Sequence, residues 1–273
     1  MTRVMAGAGS ELRIALRNRW VTIAVVMMAL FALVLSAAGS APTGDIGADK
    51  LSVTVASLTS LAVYLVPLLA LLMAFDAVAG EIERGTLPLI LTYPISRAEI
   101  LAGKFLAHLA VLALALAVGY GIAAGAAFAF DPGAAAGLPA LARLFATSLL
   151  LGAAFLGAGY AVSAIARRPG AAAGLAIGLW LVLVVLYDLG LLAAVVADGG
   201  GAFTARVFPW LLLANPADAF RLYNLAASDA AGAAAGIGGA AQSMPSAWAL
   251  TSLLLWAVGG FAFATLAVRK VTP

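Results

Sequence analysis

Cysteine is absent from all 273 residues, so disulfides, thiolate metal sites and cysteine nucleophiles are excluded together. Low cysteine use is ordinary in bacterial inner-membrane proteins and does not by itself fix a redox compartment. Histidine occurs once, at His108, which rules out a histidine-rich metal site within one chain. There is no Gly-x-x-x-x-Gly-Lys-Ser/Thr loop, so any nucleotide must be bound by another chain. An intramembrane protease would need paired aspartates or a Ser/His pair on facing helices, and His108 has no evident serine partner. Charge is scarce too: Asp, Glu, Lys and Arg make up 10% of the chain against 64% hydrophobic residues, and the mean hydropathy is +1.10. Too little polar surface remains to clothe a soluble globule of this length.

What is present is a series of long apolar stretches: Trp20–Ala38, Val53–Phe75, Phe105–Phe130, Leu141–Ala166, Ala171–Ala197 and Ser246–Val268. Each is long enough to cross a hydrocarbon core as a helix. Backbone groups in lipid must be satisfied within their own segment, and strands would be shorter and alternate in polarity, so the expectation is an all-α membrane protein with six transmembrane helices. Residues 1–273 then form a single transmembrane domain, with an inner segment at 76–104 and a long outer loop at 198–245.

Lysine and arginine set the orientation. With the N-terminus inside, eleven of them (Arg3, Arg13, Arg17, Arg19, Arg84, Arg97, Lys104, Arg167, Arg168, Arg269 and Lys270) face the cytoplasm, and four (Lys50, Arg143, Arg206 and Arg221) lie outside. This positive-inside bias places both termini in the cytoplasm. The net charge is only +3 and the basic residues sit at span ends rather than on one stripe, so a lipid bilayer and not a nucleic acid is the expected partner. Met1 to Ser10 lacks the apolar run of a secretory signal, so the first span is expected to stay as an anchor. Glu11 to Trp20 reads as an amphipathic helix on the inner surface, or as the basic flank of the first span; in both readings it touches headgroups.

In the outer loop, Trp210, Phe220 and Tyr223 suit the headgroup level, and Asn215-Pro216 signals a helix start. Short helices dipping into the outer interface are expected there, with Trp210, Asn215 and Arg221 as a candidate docking surface for an extracytoplasmic partner; simple capping of the bundle is the alternative. Asp229 to Ala241 is a small-residue tract of low complexity. Gly170, Gly174 and Gly178 recur every fourth position on the fifth span, a spacing that predicts close helix packing, within the chain or with a second copy.

The densest charge lies between the second and third spans. Glu81, Glu83 and Arg84 precede a Gly85-Thr86 break, Leu87 to Tyr93 is an apolar run, Pro94 stops it, and Ser96 with Glu99 forms a capping box for the next helix. A short helix held between two turns at the inner face follows. Asp76, at the inner end of the second span, reads as a cap or a salt-bridge partner. Asp188 is the outstanding polar residue within a span: it is a functional polar centre, or it lies nearer the outer interface, or a hydroxyl from another helix holds it.

Glu81 with Gly85-Thr86-Leu87, then Leu91-Thr92-Tyr93-Pro94-Ile95-Ser96-Arg97 and Gly103-Lys104, resembles the signature of ABC-2 type transporter permeases. The likeness extends to Leu16-Arg17-Asn18-Arg19-Trp20, Ala74-Phe75-Asp76-Ala77 with Gly80-Glu81, and Pro209-Trp210-Leu211-Leu212-Leu213 with Asn215-Pro216 and Arg221-Leu222. Within that family it is most similar to the branch that serves maturation of nitrous oxide reductase. The resemblance implies an ABC-2, type V-like permease fold in which the inner segment is a coupling helix seated in a groove of an ATPase. Glu81, Glu83, Arg84, Gly85, Thr86 and Arg97 would then contact that motor. It also implies a homodimer working with two copies of a NosF-like ATPase, which binds ATP and Mg, and with a periplasmic NosD-like protein in copper supply; no cofactor or metal is assigned to this chain.

A copper path through the bundle would need several soft donors at successive depths. Met27, Met28, Met73 and His108 are the candidates, but adjacent Met27 and Met28 point about 100° apart on a helix. Relay of the ATPase stroke to an outer partner is the expected mechanism; export of a drug, lipid or other hydrophobic solute, and a purely mechanical or scaffolding role that moves no solute, are the alternatives.

Overall fold

The structure is a computed structural model that describes residues 50–90, 92, 94–225 and 244–271, with positions 8–9, 12–13, 26–27, 30 and 34. The expected first span, the surface segment 11–20 and the tract 229–241 therefore lie wholly or mostly outside the described residues. In chain order the helices are α1 (Lys50–Ala74), α2 (Asp76–Glu83), α3 (Thr86–Ile90), α4 (Arg97–Phe130), α5 (Leu138–Ala166), α6 (Pro169–Trp180), α7 (Tyr187–Asp198), α8 (Phe208–Ala214), α9 (Pro216–Leu225) and α10 (Ser246–Arg269). A 3₁₀ turn at Pro132–Gly137 leads into α5, and wide π turns occupy Leu181–Leu186 and Phe203–Val207. Among the described residues five helical stretches are long and apolar enough to cross a membrane: Leu51–Glu83, Arg97–Ala129, Gly133–Ala166, Pro169–Asp198 and Ser246–Arg269. They coincide with the second to sixth spans expected from sequence.

α5 is the central helix, and its glycines explain how. A Cβ on Gly157 would stand 2.5 Å from the carbonyl carbon of Gly260 in α10, and one on Gly159 would stand 2.6 Å from Ala74 Cβ at the end of α1. Backbone approach of this kind drives packing between helices in lipid, where apolar burial alone gives no preference for protein over acyl chains. Large side chains fill the remaining space: Phe155 and Tyr160 on α5 are fully buried. By contrast a Cβ on Gly170, Gly174 or Gly178 would meet nothing within 4 Å. The tight packing expected from that repeat is not made to any described element of this chain; the close contacts are made by α5 instead.

The outer loop turns inward. α9 is buried at Pro216, Ala217, Asp218, Ala219, Phe220, Leu222, Asn224 and Leu225, seated against α1, α5 and α10. Asn224 Nδ2 donates to Phe220 O and to Thr147 Oγ1 of α5, both at 2.9 Å. Phe220 thus belongs to the core rather than to the headgroup level, and α9 is a plug in the bundle. Trp210, 52% exposed, keeps the outward position expected of it, and Tyr223 is half-buried; the Trp210 ring meets Trp248 edge-on at 5.1 Å.

Candidate functional site

The inner segment is built from the end of α1 upward. The chain breaks at Phe75, which frees the first N–H groups of α2, and Ser163 Oγ of α5 accepts two of them, Val78 N at 3.0 Å and Ala79 N at 2.9 Å. A hydroxyl from another helix thereby does the work of an N-cap. α2 ends at Arg84, whose N–H bonds to Gly80 O, and Gly85 follows with φ +66°. That left-handed conformation favours glycine, so the Gly85-Thr86 break is a glycine-terminated helix end. Thr86 Oγ1 donates to Glu81 O at 3.3 Å and starts α3, whose described residues are Thr86–Ile90; Leu91 and Tyr93 of the expected apolar run lie outside the described residues. The Ser96/Glu99 capping box forms as expected and starts α4.

The tip of this segment exposes Glu83, Arg84, Gly85, Pro88 and Leu89, the last at 65%. Arg84 Nη1 meets Asp76 Oδ2 at 3.2 Å, so Asp76 is a salt-bridge partner, and Gly80 lies beneath the bridge where a Cβ would crowd Arg84 Nη2 at 2.7 Å.

Glu81 and Arg97 do not belong to this exposed set. Glu81 Oε1 pairs with Lys104 Nζ of α4 at 2.7 Å, and the side chains are 9% and 7% exposed. Arg97 is half-buried, and its Nη1 donates to Val268 O at 3.0 Å and to Val271 O at the end of α10. Both are engaged within the bundle, because a charge that falls on the buried side of α2 or α4 must find a partner. Thr86 is half-buried, and Glu83, Arg84 and Gly85 remain available. Ser163 and the pairing of Lys104 are the functional features that sequence reasoning missed; the spacing of Glu81 and Lys104 along the chain carried no signal of their contact.

At the outer end, Asp188 is paired with a guanidinium. Arg221 of α9 donates to both of its oxygens, Nη1 to Oδ2 at 3.1 Å and Nη2 to Oδ1 at 2.5 Å, and also binds Asp218. Asn215 is 1% exposed; its Nδ2 donates to Leu183 O within the π turn at 2.6 Å, and its Oδ1 accepts Ala217 N at 2.9 Å. A wide turn throws a carbonyl out of the α ladder, and Asn215 satisfies it. Tyr187 adds a third tie, donating to Leu211 O at 2.8 Å. Asn215 and Arg221 thus fasten the fifth span to the α8–α9 hairpin. Asp218 was missed, although its position three residues before Arg221 is an ordinary helical pair spacing.

Burial lifts the Asp218 carboxyl from 3.8 to about 6, against the pull of Arg221 and with a further push from Asp188. A raised folded-state value means that this group's contribution is fully present below its unfolded value and is lost as pH rises through about 6. Thermal unfolding in detergent is therefore expected to occur at lower temperature as pH goes from about 5 to about 7, and Asp218→Asn should flatten that slope.

The candidates for soft donors are dispersed in function. His108 Nδ1 bonds Tyr160 Oη at 2.7 Å, and the rings stack at 5.9 Å. Met73 packs against Val111 beside Leu12, Met27 is exposed, and Met28 lies outside the described residues.

The described helices form a bundle with five stretches long and apolar enough to cross a membrane, and the ABC-2 family transporter protein pattern matches residues 5–270. The chain belongs to that family. It is 47% identical over 261 residues, 94% of each chain, to the probable ABC transporter permease protein NosY of Pseudomonas aeruginosa. It is 42% identical over 260 residues, again 94% of each, to the protein of the same name from Stutzerimonas stutzeri.

Proposed function

We propose that this ABC transporter permease couples ATP hydrolysis by a separate, NosF-like ATPase dimer to copper delivery for maturation of nitrous oxide reductase, by relaying motion to a periplasmic NosD-like protein. The chain works as a six-span homodimer in the bacterial inner membrane, with both termini in the cytoplasm. ATP and Mg belong to the motor, and copper is cargo rather than a resident cofactor. One observation carries the reading: Leu89 projects, with Glu83 and Arg84 beside it, from a tip whose base is fixed by Ser163. An exposed apolar knob with charges at its rim suits a protein groove and not water.

The test is Leu89→Asp combined with Glu83→Arg. Anchors of this sort are worth about 2 kcal/mol or more when truncated, so co-purification with the ATPase should fall by about thirtyfold. Exposed positions contribute little to bundle stability, so the thermal unfolding of the permease alone should hold. Normal assembly of the double variant would sink the assignment of the tip.

Export of a hydrophobic solute is favoured by a separate observation, a wholly apolar groove of about 560 Å³ between α5, α6 and α10, lined by Ala158, Val162, Leu179, Leu183, Gly259 and Phe263. ATP-dependent release of a fluorescent lipid from vesicles holding the complex would select this reading; maturation without any such release selects the relay.

A further inference from the structure

We propose that the buried Glu81–Lys104 ion pair, together with Arg97, is the joint through which a push on the α2–α3 tip reaches the bundle. The proposal rests on the reading that the tip meets a motor. The tip itself is a poor lever. α3 is five residues long, Gly85 takes a left-handed turn, and Asp76 and Arg84 pair at the surface, where ion pairs contribute little. What ties it to the spans lies behind it. Glu81 on α2 and Lys104 on α4 meet at 2.7 Å in a buried site, which joins the inner ends of the second and third spans. Arg97, seven residues before Lys104 on α4, donates to Val268 O and Val271 O at the end of α10. Those carbonyls belong to the last turn and the tail of the sixth span, so three span ends are fastened at one place.

The packing around the joint is closed. The cavity there measures about 20 Å³ between Val78, Leu87, Leu101 and Val268, room for about one water. That leaves little free volume between α2, α4 and α10. The choice of an ion pair is itself informative, because a buried pair is on average no more stable than apolar side chains of equal volume. It does fix register: apolar surfaces slide over each other in small shear motions, whereas hydrogen-bonded charges in a low dielectric hold one geometry. Glu81, Lys104 and Arg97 are thus positioning residues that act through the helices they join.

The experiment uses the permease assembled with its ATPase in lipid nanodiscs. The chain has no cysteine, so spin labels can be placed uniquely at Val196→Cys and Ala247→Cys, exposed outer positions on the fifth and sixth spans. In the parent the label distance changes with ATP. In E81M/K104M, which keeps volume and removes both charges, the complex still assembles and hydrolyses ATP while the distance change is lost. A full distance change in the variant, with hydrolysis intact, overturns the joint and leaves the relay standing. A parent with no ATP-dependent change overturns the relay and the joint together. If the apolar pair does not assemble, E81Q decides: it keeps the shape and loses the charge, and the joint predicts a distance change reduced relative to the parent. An undiminished change in E81Q overturns the proposal.

Discussion

Gly157→Leu is expected to abolish accumulation of the folded protein in the membrane. Even a methyl group at this position would stand 2.5 Å from Gly260 C and 2.6 Å from Phe261 N. Both atoms are backbone of α10, so no rotamer change makes room, and α5 and α10 must separate along their length. Overpacking a core costs about 1–3 kcal/mol when side chains can yield, and here they cannot. Gly157→Ala is the graded version and should lose a substantial part of the thermal stability in detergent. Gly174→Ala is the matched control: nothing lies within 4 Å of its Cβ, so no loss is expected for the isolated chain, and the helix preference of alanine over glycine adds up to about 1 kcal/mol of stability. Equal effects at Gly157 and Gly174 would contradict the placement of α5 at the centre.

Arg221→Ala is expected to cost about 3–5 kcal/mol, the usual penalty for leaving buried charge without its counter-ion. Arg221 is the cation shared by Asp188 and Asp218, and Asp218 Oδ2 already lacks a hydrogen-bond partner among the described residues. Without the guanidinium the buried Asp218 carboxyl loses the one group that holds it down, and Asp188 loses both of its donors across the seam between the fifth span and α9. Loss of melting temperature and rapid proteolysis of the α8–α9 hairpin would report it. Removing all three charges, as D188N/D218N/R221M, should recover most of the loss, because replacing a whole buried ionic cluster is often neutral. A triple variant as unstable as Arg221→Ala would show that the guanidinium stem, not its charge, supports the hairpin. The pairing also sets the outcome of Asp188→Asn. Taken from depth alone, asparagine there should fold at least as well as aspartate. With both oxygens of Asp188 accepting from Arg221, the exchange turns one acceptor into a donor facing a guanidinium and should cost about 1–3 kcal/mol.

The sequence determined which segments are helices, where the inner turns fall and which family the chain belongs to. Length and unbroken hydropathy mark the second to sixth spans without help from packing. The capping box at Ser96 and Glu99, the helix start at Asn215-Pro216 and the glycine break at Gly85 are likewise local, because each depends on a few consecutive residues and their backbone angles.

The tertiary structure decided which polar residues face outward. Glu81 and Glu83 are two positions apart on one short helix and identical in kind, yet one is buried against Lys104 and the other is exposed. Asn215 and Arg221 have the chemistry of a docking surface, and the inward fold of α9 makes them fasteners. The same holds for glycine: the regular repeat on the fifth span meets no described helix, whereas the irregular pair Gly157 and Gly159 admits two. The reason is physical. A hydropathy pattern records the average solvent of a segment, but in lipid the direction of each side chain is set by which helix lies beside it, and that is a property of the whole bundle.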